Sequence, residues 1–290
     1  MSPVKKISAV LRLVRFEHAL MFGLSVLIAE IIAARGIPQI TPTIIFSLLV
    51  PVFSEMGAFA MNDLLDVETD RLNKKAERPL VSGELTSQHA LVLTVASFLL
   101  ALVFAYMVSP TIFILTLIIN VLAILYNIVL KDLALLGNIY IAFTMAIPFI
   151  FGNYVVNPDI LSPANVLIAL LGFIVGLGRE IAKTVEDMEG DKKARRARTL
   201  PVIIGSEKSL TIAGILYALF AMVSVVPYYL YLNIGPGFAL VLVADAIFLY
   251  SSVLLIFSRR KVPFLKTSRK ISLIGLFIGL LGILASVLGH

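Results

Sequence analysis

The chain has 290 residues, of which 59% are hydrophobic and only 14% are charged, and its formal net charge is +6. This balance excludes an ordinary soluble protein and is typical of a polytopic membrane protein. Because cysteine is absent, disulfide frameworks and thiolate metal sites are excluded as well.

Nine apolar stretches, each close to the ~20 residues that cross a bilayer core of ~30 Å, predict nine transmembrane helices. They are residues 19–34, 43–61, 88–108, 110–130, 135–156, 163–182, 209–232, 236–257 and 271–289. We do not expect the first stretch to be a signal peptide, because Glu30 interrupts it and no clear cleavage site follows. No shift in composition marks a soluble domain, so residues 1–290 are expected to form a single transmembrane domain of the all-α class.

Lysine and arginine fall almost entirely on one side of this nine-span arrangement. Of the 24 basic residues, only Arg35 lies on the opposite side. By the positive-inside rule the basic side is cytoplasmic, which predicts a cytoplasmic N-terminus and an exterior C-terminus. Positive charge distributed in this way indicates membrane topology rather than a nucleic-acid-binding surface. No nucleic-acid partner is therefore expected.

A first acidic stretch, Asn-Asp-Leu-Leu-Asp-Val-Glu-Thr-Asp over residues 62–70, follows the second span. On a helix Asn62, Asp66 and Asp70 stand four residues apart and share one face, where like charges repel by a few tenths of a kcal/mol per pair. A divalent cation would offset that repulsion. Oxygen ligands without nearby Cys or His favour a hard cation such as Mg²⁺.

A second acidic stretch, residues 179–191, begins inside the sixth span and runs out of it on the same side. It repeats a spacing of seven and then four residues, and both steps return to nearly the same face of a helix. In matching order, the members are Glu55, Asn62 and Asp66 in the first half and Glu180, Asp187 and Asp191 in the second. This echo predicts a duplicated acidic site that faces a central cavity open to the cytoplasm.

Basic residues near both stretches point to a polyphosphate ligand. Mg²⁺ is usually held by one or two carboxylates together with phosphate oxygens, and basic side chains neutralise the remaining charge. The candidate phosphate ligands are Arg78, Lys131, Arg179 and Lys183. For Arg179 and Lys183, pairing with acids on their own helix is an alternative explanation.

An apolar body beneath a diphosphate site implies a lipidic substrate, and a prenyl diphosphate fits. The ring of Tyr126 can then shield an allylic cation, although an interfacial tyrosine is an equal alternative. Glu55 and Glu180 lie on the faces of the metal ligands and are expected to support those ligands or to act as a base; a buried ion pair is the alternative. Asp245, in the eighth span, is either a polar contact between helices or part of a cavity lining.

These motifs resemble the UbiA superfamily of intramembrane prenyltransferases. The resemblance rests on Asn62-Asp63-x-x-Asp66-x-x-x-Asp70, on the following Arg-Pro-Leu-Val-Ser-Gly from Arg78, and on Asp187-x-x-x-Asp191, and it covers nearly the whole chain. It implies that Asn62, Asp63, Asp66 and Asp70, together with Asp187 and Asp191, bind two Mg²⁺ ions that bridge a prenyl diphosphate. It also implies that Tyr126 and Lys131 correspond to the family's cytoplasmic Tyr and Lys pair.

Within the superfamily the second stretch looks most like the archaeal ether-lipid branch, the digeranylgeranylglyceryl phosphate synthases. The resemblance implies transfer of a geranylgeranyl group from its diphosphate to geranylgeranylglyceryl phosphate. The candidates for binding the acceptor's phosphate are Lys192, Lys193, Arg195, Arg196 and Arg198, for which a topology signal is the alternative. Two further functions remain open: a prenyltransferase with an aromatic acceptor of the quinone or chlorophyll type, and a cation transporter.

Overall fold

The computed structural model of the protein describes residues 2–195, 197–257 and 262–289. Within these ranges the regular secondary structure is helical, and the only strand-like feature is an isolated bridge between Leu133 and Arg198. The predicted all-α class is therefore confirmed. Four basic residues used for the topology prediction, Arg196, Arg259, Arg260 and Lys261, lie outside the described residues.

The described part of the chain contains thirteen α-helices and one short 3-10 helix over Leu130–Asp132. In chain order the α-helices are α1 (Pro3–Leu13), α2 (Phe16–Ala34), α3 (Pro42–Leu65), α4 (Val67–Leu72), α5 (Ser87–Val108), α6 (Pro110–Ile128), α7 (Leu136–Val156), α8 (Pro163–Arg195), α9 (Leu200–Ile204), α10 (Ser206–Val223), α11 (Val226–Leu230), α12 (Pro236–Phe257) and α13 (Val262–Leu288).

Nine helical segments of the described ranges are long and apolar enough to cross a membrane, which confirms the predicted number. They are α2, α3, α5, α6, α7, α8, the pair α10 and α11, α12 and α13. Several begin at a proline that follows a polar cap. At α3, for example, the Ile44 amide donates to Thr41 Oγ1 at 3.3 Å and Pro42 occupies the first turn. Proline fits there because the first amides of a helix have no partner within it.

The described residues group into two compact units. Unit 1 consists of Met1–Leu24, Gln39–Asp132 and Glu189–Ala197. Its helices α3 and α5 pack so closely that a Cβ on Gly57 would lie 2.8 Å from the ring of Phe98. Small side chains of α1, α3 and α5, including Ala9, Ala60 and Ala90, form a buried core. Unit 1 contains the whole of the first acidic stretch and also Asp191.

Unit 2 consists of Ser25–Pro38, Leu133–Met188 and Arg198–His290. Its core lies where α8, α10 and α12 meet, and there the rings of Tyr217 and Phe248 make an edge-to-face contact with centroids 5.1 Å apart. Ser252 Oγ donates to the Gly214 carbonyl at 2.7 Å and links α12 to α10. The single domain expected over residues 1–290 and the central cavity stay predictions.

Candidate functional site

The first acidic stretch spans a junction between two helices rather than one continuous helix. Helix α3 ends at Leu65, α4 begins at Val67, and Asp66 between them adopts φ −102° and ψ 11°. Backbone bonds nevertheless keep the four-residue spacing. The Asp66 amide donates to the Asn62 carbonyl at 3.0 Å, and the Asp70 amide donates to the Asp66 carbonyl at 2.7 Å.

The three aspartates of this stretch, Asp63, Asp66 and Asp70, are only 1%, 8% and 4% exposed. A charge buried without a partner costs several kcal/mol, so each carboxylate needs a nearby cation. Asp63 Oδ1 accepts from Arg15 Nη2 at 3.1 Å and from Arg78 Nη1 at 2.5 Å. The structure therefore places Arg78 beside the acidic stretch and adds Arg15, which the sequence suggested only as a topology signal.

Asp66 and Asp70 also have basic partners. Lys131 Nζ donates to Asp66 Oδ1 at 2.6 Å, and Lys75 Nζ lies 3.2 Å from Asp70 Oδ1. Burial raises the pKa of the Asp70 carboxyl above its usual value, whereas Lys75 and Arg78 lower it. The repulsion between the acids, which we expected a metal ion to offset, is thus already offset in part by lysine and arginine side chains.

A carboxylate and an amide side chain fix the orientation of Asn62. Its Nδ2 donates to Asp66 Oδ2 at 2.9 Å and to Asn127 Oδ1 at 3.0 Å. Asn127 Nδ2 in turn donates to the Ala123 carbonyl at 3.0 Å. A carboxylate and a carbonyl only accept hydrogen bonds, so this chain of contacts determines which end of each amide is oxygen. Asn127 was not predicted as a site residue; an amide next to Tyr126 in an apolar span was the available signal.

The donor atoms of the first stretch fit a hard divalent cation. The two bonds of Asn62 described above do not use its Oδ1, and Asp63 Oδ2 is buried with no hydrogen-bond partner among the described residues. No group of three or more His, Asp or Glu side chains in the described ranges could hold a metal ion by itself. In proteins, Mg²⁺ sites are commonly completed by phosphate oxygens rather than by an all-protein cage.

The second acidic stretch lies on one continuous helix. The 33-residue helix α8 continues beyond the predicted end of the span at residue 182 and carries the whole stretch. Glu180, Asp187 and Asp191 are all buried. Lys183 Nζ donates to Glu180 Oε1 at 3.0 Å, so Lys183 does pair with an acid on its own helix. Arg179 Nη1 is buried and has no hydrogen-bond partner among the described residues.

The two compact units divide the predicted site residues between them. Unit 1 holds the first acidic stretch with Glu55, Arg78, Tyr126 and Lys131, and it also holds Asp191. Within unit 1, the amide of Gly190, which precedes Asp191, donates to Asn73 Oδ1 at 3.1 Å. Unit 2 holds Arg179, Glu180, Lys183 and Asp187.

The remaining predicted residues differ in how deeply they are buried. Tyr126 is buried in α6, and Glu55 is half-buried in α3, two helical turns before Asn62. Lys192, Lys193 and Arg198 are exposed; Arg196 lies outside the described residues, and Arg195 is described only in its backbone.

Asp245 accepts a hydrogen bond from Ser224 Oγ at 2.8 Å within unit 2, a partner that the sequence analysis did not find. This contact supports the interpretation of Asp245 as a polar contact between helices.

Comparison with known proteins agrees with these motifs. The model of the UbiA prenyltransferase family matches residues 22–285. The chain is 35% identical over 288 residues to digeranylgeranylglyceryl phosphate synthase of Archaeoglobus fulgidus, covering 96% of this chain and 95% of that protein.

Solved structures share the fold. One, from a study of digeranylgeranylglyceryl phosphate synthase in membranes, is 26% identical, has a TM-score of 0.70 and covers 98% of this chain and 99% of its own. A UbiA homologue from Archaeoglobus fulgidus, solved with GPP and Mg²⁺ bound to it, is 22% identical with a TM-score of 0.63, covering 97% of this chain and 100% of its own. Because the family model matches most of its length, the chain belongs to the UbiA prenyltransferase family and is a membrane prenyltransferase.

Proposed function

We propose that the chain transfers a geranylgeranyl group from geranylgeranyl diphosphate to the free hydroxyl of geranylgeranylglyceryl phosphate, with Mg²⁺ as cofactor. The observation that carries the proposal is the buried cluster in which Asp63, Asp66 and Asp70 alternate with basic side chains. A cluster of this kind suits a Mg²⁺ diphosphate. The choice of acceptor rests on the name of the Archaeoglobus relative, and the choice of cofactor also draws on the homologue that binds Mg²⁺.

Two groups of oxygen ligands hold the metal in this proposal. Asn62, Asp66 and Asp70, with Asp63 beside them, bind one ion, and Asp187 and Asp191 bind the other. The amide oxygen of Asn62 is suited to this role because its Nδ2 is already held by Asp66 and Asn127. When bound, Mg²⁺ supplies positive charge that stabilises the departing diphosphate.

Four basic residues, Arg78, Lys131, Arg179 and Lys183, bind phosphate oxygens in the proposed complex. Lys131 and Arg78 now neutralise Asp66 and Asp63. When the two carboxylates bind a metal cation instead, the two basic side chains become available to bind the diphosphate. A diphosphate can replace the carboxylates as the charged partner of both side chains, whereas a neutral ligand would leave both cations uncompensated, so this exchange favours the diphosphate.

The reaction breaks the bond between C1 of the prenyl chain and the diphosphate oxygen, and the electron pair leaves with the diphosphate. The ring face of Tyr126 stabilises the allylic cation that remains. The acceptor hydroxyl oxygen then bonds to C1 and releases its proton. Glu55 and Glu180 support the metal ligands or take up that proton, and the basic residues that follow Asp191 bind the acceptor's phosphate.

A transfer assay in detergent tests the proposal. Radiolabelled geranylgeranyl diphosphate is offered with Mg²⁺ and with either geranylgeranylglyceryl phosphate or 4-hydroxybenzoate, and EDTA serves as the control. We expect label only in the glyceryl phosphate product, and none with EDTA. Transfer to the aromatic acceptor would overturn the proposed acceptor but keep the family's chemistry, and transfer that resists EDTA would overturn the metal requirement.

The proposed orientation, with the N-terminus and the active site on the cytoplasmic side, has its own test. The chain contains no cysteine, so single substitutions such as Asp159→Cys and Lys192→Cys provide unique labelling sites. Both positions are exposed. A membrane-impermeant maleimide added to intact cells should label the first variant directly and the second only after permeabilisation. The reverse pattern would overturn the orientation.

A further inference from the structure

Asn73 and Gly190 make a contact within unit 1 that the proposed mechanism does not use. Asn73 follows the last residue of α4, where its own amide donates to the Thr69 carbonyl at 2.9 Å. Its side-chain Oδ1 accepts from the Gly190 amide at 3.1 Å. The two residues are 117 positions apart in the chain, so the contact joins the segment after Asp70 to the segment that carries Asp191.

As long as the Asn73 side chain keeps its observed conformation, this contact requires glycine at position 190. A Cβ built there would lie 2.2 Å from Asn73 Oδ1, 2.4 Å from its Cγ and 2.5 Å from its Nδ2, and these are the three nearest atoms. All three distances are far shorter than ordinary van der Waals contacts of a Cβ, which start at about 3.4 Å. The absence of a side chain at residue 190 therefore makes room for the amide group of Asn73.

The position of Gly190 inside a helix is costly by itself. Helix α8 runs from Pro163 to Arg195, and glycine in the interior of a helix is less favourable than alanine because it loses more backbone freedom on folding. Helix propensity alone therefore predicts that Gly190→Ala is neutral or stabilising. The overlap with Asn73 predicts the opposite, and the two explanations can be separated by experiment.

We propose that Asn73 and Gly190 are positioning residues, and that their size-matched contact holds Asp191 in place beside the segment that ends the first acidic stretch. Asn73 lies three residues after Asp70, and Gly190 directly precedes Asp191, so a shift at this contact moves one metal ligand against the other. The inference rests on the proposed function, because it gives Asp191 a role in binding metal.

The test compares Asn73→Ala, Gly190→Ala and the double variant. Gly190→Ala displaces the segment that carries Asp191, and a misplacement of about 1 Å can cost about a hundredfold in rate, so we expect a ten- to hundredfold loss of transfer activity. Asn73→Ala removes one hydrogen bond, and we expect about a fivefold loss. The double variant removes all three overlapping atoms, so its activity should return to that of Asn73→Ala alone.

Metal binding provides a second readout that does not depend on turnover. Because phosphate oxygens complete the proposed site, Mn²⁺ is titrated into each purified variant in detergent with inorganic diphosphate present, and free Mn²⁺ is followed by electron paramagnetic resonance against a protein-free blank. Affinity should decrease from wild type to Asn73→Ala and the double variant, and then to Gly190→Ala. Thermal midpoints are recorded alongside. If Gly190→Ala does not accumulate as folded protein, accumulation of the double variant with the Mn²⁺ affinity of Asn73→Ala supports the size match.

Gly279→Ala is the matched control, because Gly279 is also helical and its built Cβ would lie 3.6 Å from its nearest neighbour, an ordinary contact. It should leave transfer and Mn²⁺ affinity unchanged. The inference is overturned if the double variant is no better than Gly190→Ala, or if Gly190→Ala binds Mn²⁺ as the wild type does. If the wild type itself binds no Mn²⁺, the proposed metal function fails instead.

Discussion

The two acidic stretches share a residue spacing, but the protein holds them in different ways. The first crosses the junction between α3 and α4, and its aspartates are neutralised by basic residues from three separate parts of the chain. The second lies along the single helix α8, and its Glu180 is paired within one helical turn by Lys183. Spacing therefore indicates which acids share a face, whereas the partners of those acids come from the tertiary structure.

The burial of the partners differs as well. The side chain of Lys131, paired with Asp66, is only 7% exposed, whereas that of Lys183, paired with Glu180, is 31% exposed. Buried charge pairs are strongly coupled, and the loss of one member leaves the other uncompensated; exposed pairs are screened by water. The first stretch should thus be the more sensitive of the two to the loss of a single charge.

The largest expected effects are those of Asp66→Ala and Asp187→Ala. Each removes a proposed metal ligand, and we expect each to lower turnover at least a hundredfold, as loss of a transition-state contact does. Asp66→Ala also leaves the buried Lys131 without its carboxylate partner, so it should lower the thermal midpoint clearly. Transfer assays and thermal unfolding in detergent measure both. Asp159→Asn, at an exposed position, is the control, and normal turnover in either alanine variant would break the two-metal proposal.

The next effect compares Lys131→Met with Lys183→Met. Both remove a proposed phosphate ligand, but Lys131 is the more deeply buried. We expect Lys131→Met to raise the KM for prenyl diphosphate by about ten- to a hundredfold, which corresponds to about 1.5–3 kcal/mol for a charged hydrogen bond. Lys183→Met should raise the KM less. Equal effects would show that the difference in burial has no functional consequence.

A smaller effect is expected for Asn127→Ala, which frees the amide of Asn62. Loss of one hydrogen bond of about 1 kcal/mol predicts about a fivefold rise in the Mg²⁺ concentration for half-maximal activity. The rate at saturating Mg²⁺ should change little, because the ligand itself is retained. Asn120→Ala, which removes another buried amide from α6, is the control. An unchanged Mg²⁺ dependence in Asn127→Ala would show that Asn62 does not need this support.

The smallest effect is expected at the exposed pair Arg12 and Glu84, whose side chains are 2.5 Å apart. Hydrogen bonds from Arg12 and Ser82 lower the pKa of Glu84. Its contribution to stability is therefore present above the pKa of an unfolded glutamate and is lost as the pH falls through the lowered folded value. Glu84→Gln should change the thermal midpoint slightly at pH 7 and not at all in strong acid. A large change at neutral pH would contradict the distinction between exposed and buried pairs.

The parts of the fold that depend on hydropathy were predictable from the sequence. The nine spans follow from apolar runs of the right length, and the described residues confirm that number. The end of α8 was not predictable in this way, because residues 183–195 are mostly polar and a helix there leaves no hydropathy signal. The amphipathic helix α1 was missed because the basic residues within it were interpreted only as a topology signal.

The acids of the candidate site could be found from their spacing, but their surroundings could not. The break at Asp66 and the contacts of Arg15, Lys75 and Asn127 depend on residues far apart in the chain. Of the alternatives that the sequence left open, membership of a prenyltransferase family excludes a primary role as a cation transporter. The choice of acceptor depends on the residues of the site and not on the fold. The transfer assay is therefore the experiment that identifies the acceptor.

The length of α8 has a consequence for where the products go. At 1.5 Å per residue, its 33 residues extend for about 50 Å, well beyond a hydrocarbon layer of about 30 Å. Measured from Pro163 along the axis, Glu180 lies at about 26 Å and Asp187 at about 36 Å. If Asp187 binds the metal as proposed and the helix stands upright, the bond would break at the depth of the lipid headgroups. A diphosphate released there can diffuse directly into water, while the two-chain lipid product stays in the leaflet in which it was made.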